Sequence, residues 1–153
     1  MRRISLLSTV ASLVLLAAPA FAGQTNYAPT HQNAYSNGFA IGGTASGLSL
    51  NDNAIGQSNL LLGKGPTFQS NSAPTTQHAS SHAFSLFGDA DATSVNTNLI
   101  QQDNTKLGKG PTFQHNSAPT TQSAVSSAVS IGGDASALSA NSNTVIQGNG
   151  SAR

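Results

Sequence analysis

The stretch LGKGPTFQSNSAPTTQ at residues 62 to 77 returns at residues 107 to 122 as LGKGPTFQHNSAPTTQ, with only Ser70 exchanged for His115. The offset is 45 residues. One step toward the amino terminus, it places Asn71, Ala73, Pro74, Thr75 and Gln77 on Asn26, Ala28, Pro29, Thr30 and Gln32. One step the other way, it places them on Asn116, Ala118, Pro119, Thr120 and Gln122, so a more diverged copy precedes two close ones. Repetition at such a period marks one supersecondary unit that buries its inner face only against its neighbours, which predicts a stacked array or solenoid. An array supplies surface, length or self-association more readily than one deep catalytic pocket.

Within a unit the apolar residues alternate. Phe39, Phe84 and Val129 align, and two residues on so do Ile41, Leu86 and Ile131, which is the period of a strand. Gly43, Gly88 and Gly133 follow in register, predicting a recurrent turn that needs either a positive φ or close backbone approach. Leu48 with Leu50 becomes Thr93 with Val95 and Leu138 with Ala140, a second alternating pair, while Ile55, Ile100 and Val145 mark a third short strand. No segment after residue 22 has a sustained helical period with caps. The expected fold is therefore all-β: short strands stacked in a solenoid-like array with substantial loop or disordered content. Phe39, Ile41, Phe84, Leu86, Val129, Ile131, Ile55, Ile100 and Val145 are the expected strand core. The Ser, Thr, Asn and Gly content also leaves open a chain that is disordered alone and ordered only by stacking.

Amides recur as faithfully as apolar residues. Asn51, Asn96 and Asn141 align, as do Asn53, Asn98 and Asn143, then Gln57, Gln102 and Gln147, then Asn59, Asn104 and Asn149. In parallel in-register strands identical amides lie ~4.7–4.8 Å apart and chain into ladders along the stack, so these twelve positions are the candidate assembly site. For Asn51 and Asn53 a plain turn role is the competing reading. The connector Gly63-Lys64-Gly65-Pro66-Thr67-Phe68, repeated from Gly108 to Phe113, is turn chemistry between units, with the lysine expected in solvent and the phenylalanine packed on the sheet.

Residues 1–22, MRRISLLSTVASLVLLAAPAFA, combine two arginines, an apolar run and a small-x-small ending, the pattern of a signal peptide cleaved before Gly23. The organisation expected is thus 1–22 signal peptide, 23–70 diverged first repeat, 71–115 second repeat and 116–153 third repeat without the connector. No transmembrane segment is expected after cleavage, and the general secretory route would deliver the chain to the exterior or the cell surface. Beyond residue 22, Lys64, Lys106, Lys109 and Arg153 stand against Asp52, Asp89, Asp91, Asp103 and Asp134, a net charge of one negative. So neutral a surface offers no field for nucleic acid, and its weak self-repulsion favours self-association. With no cysteine, disulfides cannot brace the fold.

Catalytic and metal chemistry find no constellation. His78 and His82 have serines as their third-copy counterparts, Ser123 and Ser127, so the unit does not require an imidazole there. Gly88-Asp89-Ala90-Asp91 and Gly133-Asp134 resemble calcium-binding turns but offer too few carboxylates for an oxygen cage. Gly-Lys-Gly-Pro lacks the spacing of a phosphate loop, and there is neither a nucleophile elbow nor any glutamate. The reading is a non-enzyme without metal or cofactor.

Around the laddered amides, Ile146-Gln147-Gly148-Asn149-Gly150-Ser151-Ala152, echoed at Gln57-Ser58-Asn59 and Gln101-Gln102-Asp103-Asn104, resembles the curlin repeats of bacterial functional amyloids. That resemblance implies an exported subunit of a self-assembling fibre or matrix, acting in adhesion or biofilm, with an outer-membrane secretion or anchoring partner. Ala40-Ile41-Gly42 and Ala54-Ile55-Gly56, 14 residues apart, are similar to the head repeat of YadA-type adhesins, which implies a β-roll that binds a host or abiotic surface. A third reading is a solenoid whose polar face, Thr75-Thr76 and Thr120-Thr121, binds polysaccharide or ice.

Overall fold

The computed structural model describes residues 11–16 and 23–152, so residues 1–10 and 17–22 of the expected signal peptide lie outside the described residues. Every element is a strand: β1 (Ala11–Leu16), β2 (Gly23–Tyr27), β3 (Thr30–Ile41), β4 (Ala45–Leu62), β5 (Thr67–Ser72), β6 (Thr75–Leu86), β7 (Ala90–Leu107), β8 (Thr112–Ser117), β9 (Thr120–Ile131) and β10 (Ala135–Ala152). Three consecutive strands make one rung. The rungs are β2–β4, β5–β7 and β8–β10, and the Gly-Lys-Gly-Pro stretches pass the chain from one rung to the next.

Each strand of a rung pairs in parallel with its counterpart 45 residues away, as in Phe39 with Phe84 and Phe84 with Val129. This gives three parallel sheets, β2-β5-β8, β3-β6-β9 and β1-β4-β7-β10. The chain is a parallel β-solenoid. Pairing continues through the turns, where Gly63 donates to the Leu107 carbonyl at 2.9 Å and Gly65 to that of Lys109 at 2.8 Å. At Pro29, Pro74 and Pro119 the chain turns between the two shorter strands of a rung, where a residue without an N–H costs the sheets nothing. The segments around Leu48 and Ile55 belong to one 18-residue strand, β4, which spans the rung and faces both β2 and β3. Side-chain bonds across the interior fix that arrangement: Asn26 Nδ2 reaches the Ser58 carbonyl at 3.3 Å and Gln32 Nε2 that of Asp52 at 2.9 Å.

The interior is mainly polar and small. Its apolar part consists of one cluster of Ala28, Ile55, Ala73 and Ile100 and another of Ala45, Ala83, Ala90 and Ala92. Asn, Gln and Ser fill most of the remainder. Four members of the expected core lie inward or partly covered: Ile55 and Ile100 are buried, and Phe84 and Leu86 are half-buried on an outer face. The expectation fails for Phe39, Ile41, Val129 and Ile131, which are exposed, and for Val145, which is exposed on the last rung. The alternation is correct but the facing is inverted, because the partner positions Ala34, Ala40, Ala79 and Ala83 point inward instead. The reason is space. A Cβ added at Gly38 would lie 2.5 Å from the Ser46 carbonyl oxygen, and one at Gly47 would lie 2.8 Å from that of His82, so the two walls leave no room for a ring there.

The recurrent glycine turn uses both devices expected of it, at adjacent positions. Gly88 lies against the Gly43 carbonyl and a Cβ at Gly133 would meet the Gly88 carbonyl oxygen at 2.5 Å, which is close backbone approach. One residue earlier φ is positive in all three copies: 67° at Gly42, 61° at Phe87 and 84° at Gly132.

Candidate functional site: the amide ladders and their ends

All twelve amides expected in ladders lie in the long sheet at inward positions, and all twelve hydrogen-bond to their counterparts. Asn51 Nδ2 donates to Asn96 Oδ1 at 2.9 Å, and Asn96 to Asn141 at 2.8 Å. Asn53 donates to Asn98 at 2.7 Å, and Asn98 to Asn143 at 2.8 Å. Asn59 donates to Asn104 at 2.9 Å, and Asn104 to Asn149 at 3.0 Å. The glutamines run the opposite way: Gln102 Nε2 donates to Gln57 Oε1 at 2.7 Å, and Gln147 to Gln102 at 2.8 Å.

The two shorter sheets carry three further ladders that sequence reasoning did not assign. Gln69 donates to Gln24 and Gln114 to Gln69, at 3.1 and 2.8 Å. Gln77 donates to Gln32 and Gln122 to Gln77, both at 2.7 Å. Asn26 donates to Asn71 at 3.0 Å and Asn71 to Asn116 at 3.1 Å. The signal was present in the shared offset of 45 residues. The last ladder also joins the facing sheet, since Asn59 Nδ2 reaches Asn71 Oδ1 at 3.0 Å and Asn104 Nδ2 reaches Asn116 Oδ1 at 2.8 Å.

A primary amide has two donor hydrogens, and in the middle rung each is used differently. Asn96 Nδ2 gives one along the stack to Asn141 and one across the rung to the Ser123 carbonyl at 2.7 Å. Gln102 Nε2 gives one to Gln57 and one to the Ser117 carbonyl at 3.1 Å. Among the described residues no buried side-chain nitrogen or oxygen lacks a partner. That satisfaction makes a polar interior tolerable, because a buried amide left unpaired costs ~1–3 kcal/mol.

The direction of the ladders gives the stack a polarity. Asparagine columns donate toward β8–β10 and glutamine columns toward β2–β4. At the β10 edge, Asn141 and Asn143 accept from the middle rung, and their own NH2 groups have no partner among the described residues. At the opposite end, Asn51 Oδ1 and Asn53 Oδ1 of β4 head their columns, and Gln57 of β4 and Gln32 of β3 have each used one hydrogen, on the Ser72 and Asp52 carbonyls. In the Asn51, Asn53 and Gln57 columns, donors at one end therefore match acceptors at the other. No described strand pairs with the outer edges of β8, β9 and β10 or of β2 and β3, whereas β1 lies on β4 from Asn53 to Ser58.

Lys106 was not anticipated as an interior residue. Its counterpart in the first rung is the buried Leu61, yet it is fully buried, and Nζ donates to the carbonyls of Gly65 at 2.7 Å, Gly110 at 3.2 Å and Pro111 at 3.3 Å. One ammonium thus clamps both connectors. The connector lysines Lys64 and Lys109 are exposed, as expected, while Phe68 and Phe113, expected against the sheet, are exposed as well. Thr75 faces inward and Thr76 outward, so a rung shows solvent only one threonine of the pair. His78 and His82 sit on the outer face of β6, where Tyr35 meets the His78 ring edge-on at 5.6 Å. Asp89 Oδ1 accepts from the Asp134 backbone N–H at 3.1 Å, a turn contact. No helix among the described residues is long and apolar enough to cross a membrane.

No protein-family model, no curated protein and no solved structure matches this chain.

Proposed function

We propose that this protein is an exported bacterial structural subunit that stacks head to tail into a cross-β fibre or matrix serving adhesion or biofilm at the cell surface. The observation that carries this reading is the polarity of the ladders. Asparagine donors at the β10 edge meet asparagine acceptors at the β4 edge, and glutamine donors at the β4 edge meet glutamine acceptors at the β10 edge. Such an interface joins two different surfaces of the same molecule, and a translation along the stack does not close it, so it propagates into a filament instead of a ring. Each added rung continues backbone pairing at ~4.8 Å with its amide ladders intact. The wide edges with unpaired N–H and C=O groups, which proteins normally blunt, support the same reading.

The test uses residues 23–153, purified and incubated at neutral pH. Thioflavin binding after a lag and a cross-β reflection near ~4.7 Å are the expected result. A discrete soluble trimer that adheres to a matrix protein or glycan would replace fibre assembly with the adhesin reading.

A further inference from the structure

The outer face of β3-β6-β9 carries a second feature, independent of the stack's ends. Its carboxyl-terminal half presents Phe39, Phe84 and Val129 in one column and Ile41, Leu86 and Ile131 in the next, three rungs deep. Phe39 and Phe84 stack with ring centroids 5.7 Å apart. Phe39 and Ile41 are 68% and 69% exposed. Burying these rings and aliphatic side chains would not help a lone chain, because the interior behind them admits only Ala, Ser and Gly.

Phe87 extends the stripe by one residue at the corner. It holds φ of 61°, where the equivalent positions are Gly42 and Gly132, and it is 73% exposed. A left-handed conformation strains a non-glycine residue, and so exposed a ring recovers little of that within its own chain.

We propose that two copies of the protein pair face to face through this stripe, as two sheets in a dry interdigitated contact. The occupant is a second copy for three reasons. The columns repeat at the ~4.8 Å rung spacing, a lattice that another copy reproduces and an unrelated globular surface does not. The β3-β6-β9 face carries no Lys, Arg, Asp or Glu, so like charges do not oppose self-contact, whereas the outer face of the long sheet carries Asp52, Asp91 and Asp103. An aromatic side chain buries ~150–250 Å² when fully covered, so with Tyr35 and Val125 on the same face the stripe offers on the order of 700 Å² per copy, close to the ~800 Å² per partner of a standard specific interface. Pairing across a two-fold axis sets the middle rung of one copy against the middle rung of the other.

That geometry is testable because the chain has no cysteine. A single Leu86→Cys in the full-length chain places a thiol in the stripe on the middle rung, and Thr97→Cys places one on the outer face of the long sheet in the same rung. Face-to-face sheets lie ~10 Å apart, too far for a disulfide with its ~4.4–6.8 Å Cα separation but within reach of a short bismaleimide, whereas an end-to-end stack sets either cysteine the same three rungs, ~14 Å, from its copy. Treated with a short bismaleimide, which adds to one thiol on each copy, the Leu86→Cys protein should form covalent dimer at least tenfold faster than the Thr97→Cys protein. Adding Phe39→Ser and Phe87→Gly should return it to the Thr97→Cys rate with an unchanged β circular-dichroism spectrum. The Phe87→Gly change alone, which installs the residue of the other two rungs, keeps the test valid if Phe39→Ser perturbs the fold. A Leu86→Cys protein that cross-links no faster than Thr97→Cys overturns lateral pairing even where filaments grow. Cross-linking without filaments keeps lateral pairing and removes end stacking.

Discussion

At the residue scale, an amide in the middle rung contributes more than the same amide at an end. Gln102 gives one hydrogen to Gln57 and one to the Ser117 carbonyl and accepts from Gln147, whereas Gln147 makes only the bond to Gln102. At ~0.5–1.5 kcal/mol per bond, Gln102→Ala should cost ~2–4 kcal/mol and Gln147→Ala about a third of that, measured by denaturant unfolding under conditions where the chain stays monomeric. Equal costs would mean that the column does not act as a ladder. The triple variant Gln57→Ala, Gln102→Ala, Gln147→Ala should slow fibre growth far more than three exposed Thr substitutions. Lys106 presents the opposite case, a single charge shared by three carbonyls, of which that of Pro111 also accepts from the Thr67 N–H at 3.0 Å. Lys106→Leu, which copies Leu61 of the first rung, should lower stability by ~1–3 kcal/mol, with proteolysis beginning in the Gly63–Pro66 and Gly108–Pro111 turns. These ladders were legible in the sequence because a 45-residue offset aligns amide with amide. Lys106 was not legible, since a lysine opposite Leu61 and Ser151 fits no column.

At the element scale the legible part was the alternation and the illegible part was its facing. A period of two defines two faces, and apolarity names the inner one only where the interior is wide enough for large side chains. In β3, β6 and β9 the inward positions after the first Thr are Ala, Ser, Gly and Gln, and the walls at Gly38 and Gly47 approach too closely for Phe39 or Phe84 to turn inward. At Ile55 of β4 and Ile100 of β7 apolarity named the inner face correctly, because they lie against Ala28 and Ala73, where small corner residues leave room, whereas Leu48, Leu50 and Leu99 of the same strands face out. The same logic of edges applies to β1, which pairs with β4 through Ala11↔Asn53 to Leu16↔Ser58 and so covers the β4 edge at the head of the Asn53 and Gln57 columns. A chain that keeps residues 1–22 should therefore seed and elongate more slowly than residues 23–153, with at least a fivefold longer lag in thioflavin assays at equal concentration. Equal lags would show that this strand does not obstruct the edge.

At the scale of the whole molecule, the three rungs form a stack with one donor-rich and one acceptor-rich end for each kind of amide, so growth can be stopped without unfolding the subunit. Asn141 and Asn143 accept from Asn96 and Asn98 at 2.8 Å in both columns, and only their NH2 groups are left to give. Aspartate has the same shape and keeps the acceptor oxygen, so Asn141→Asp, Asn143→Asp retains both bonds to the middle rung, while each carboxylate has no hydrogen to donate onward. In a head-to-tail contact those carboxylates would lie against Asn51 Oδ1 and Asn53 Oδ1, acceptor against acceptor, with charge added in a closing interface. The double variant should keep the β spectrum and a melting temperature within a few degrees of the parent, yet fail to extend seeds. The reverse pair, Asn51→Asp with Asn53→Asp, removes the donors to Asn96 and Asn98 and should destabilise the subunit itself. This asymmetry follows from the direction of the ladders, and it is reinforced by the burial of Asn51 and Asn53 and by the bond from Asn51 Nδ2 to the His78 carbonyl at 2.8 Å. If the two pairs behave alike in unfolding, or the β10-edge pair extends seeds at the parent rate, the polarity has no part in assembly.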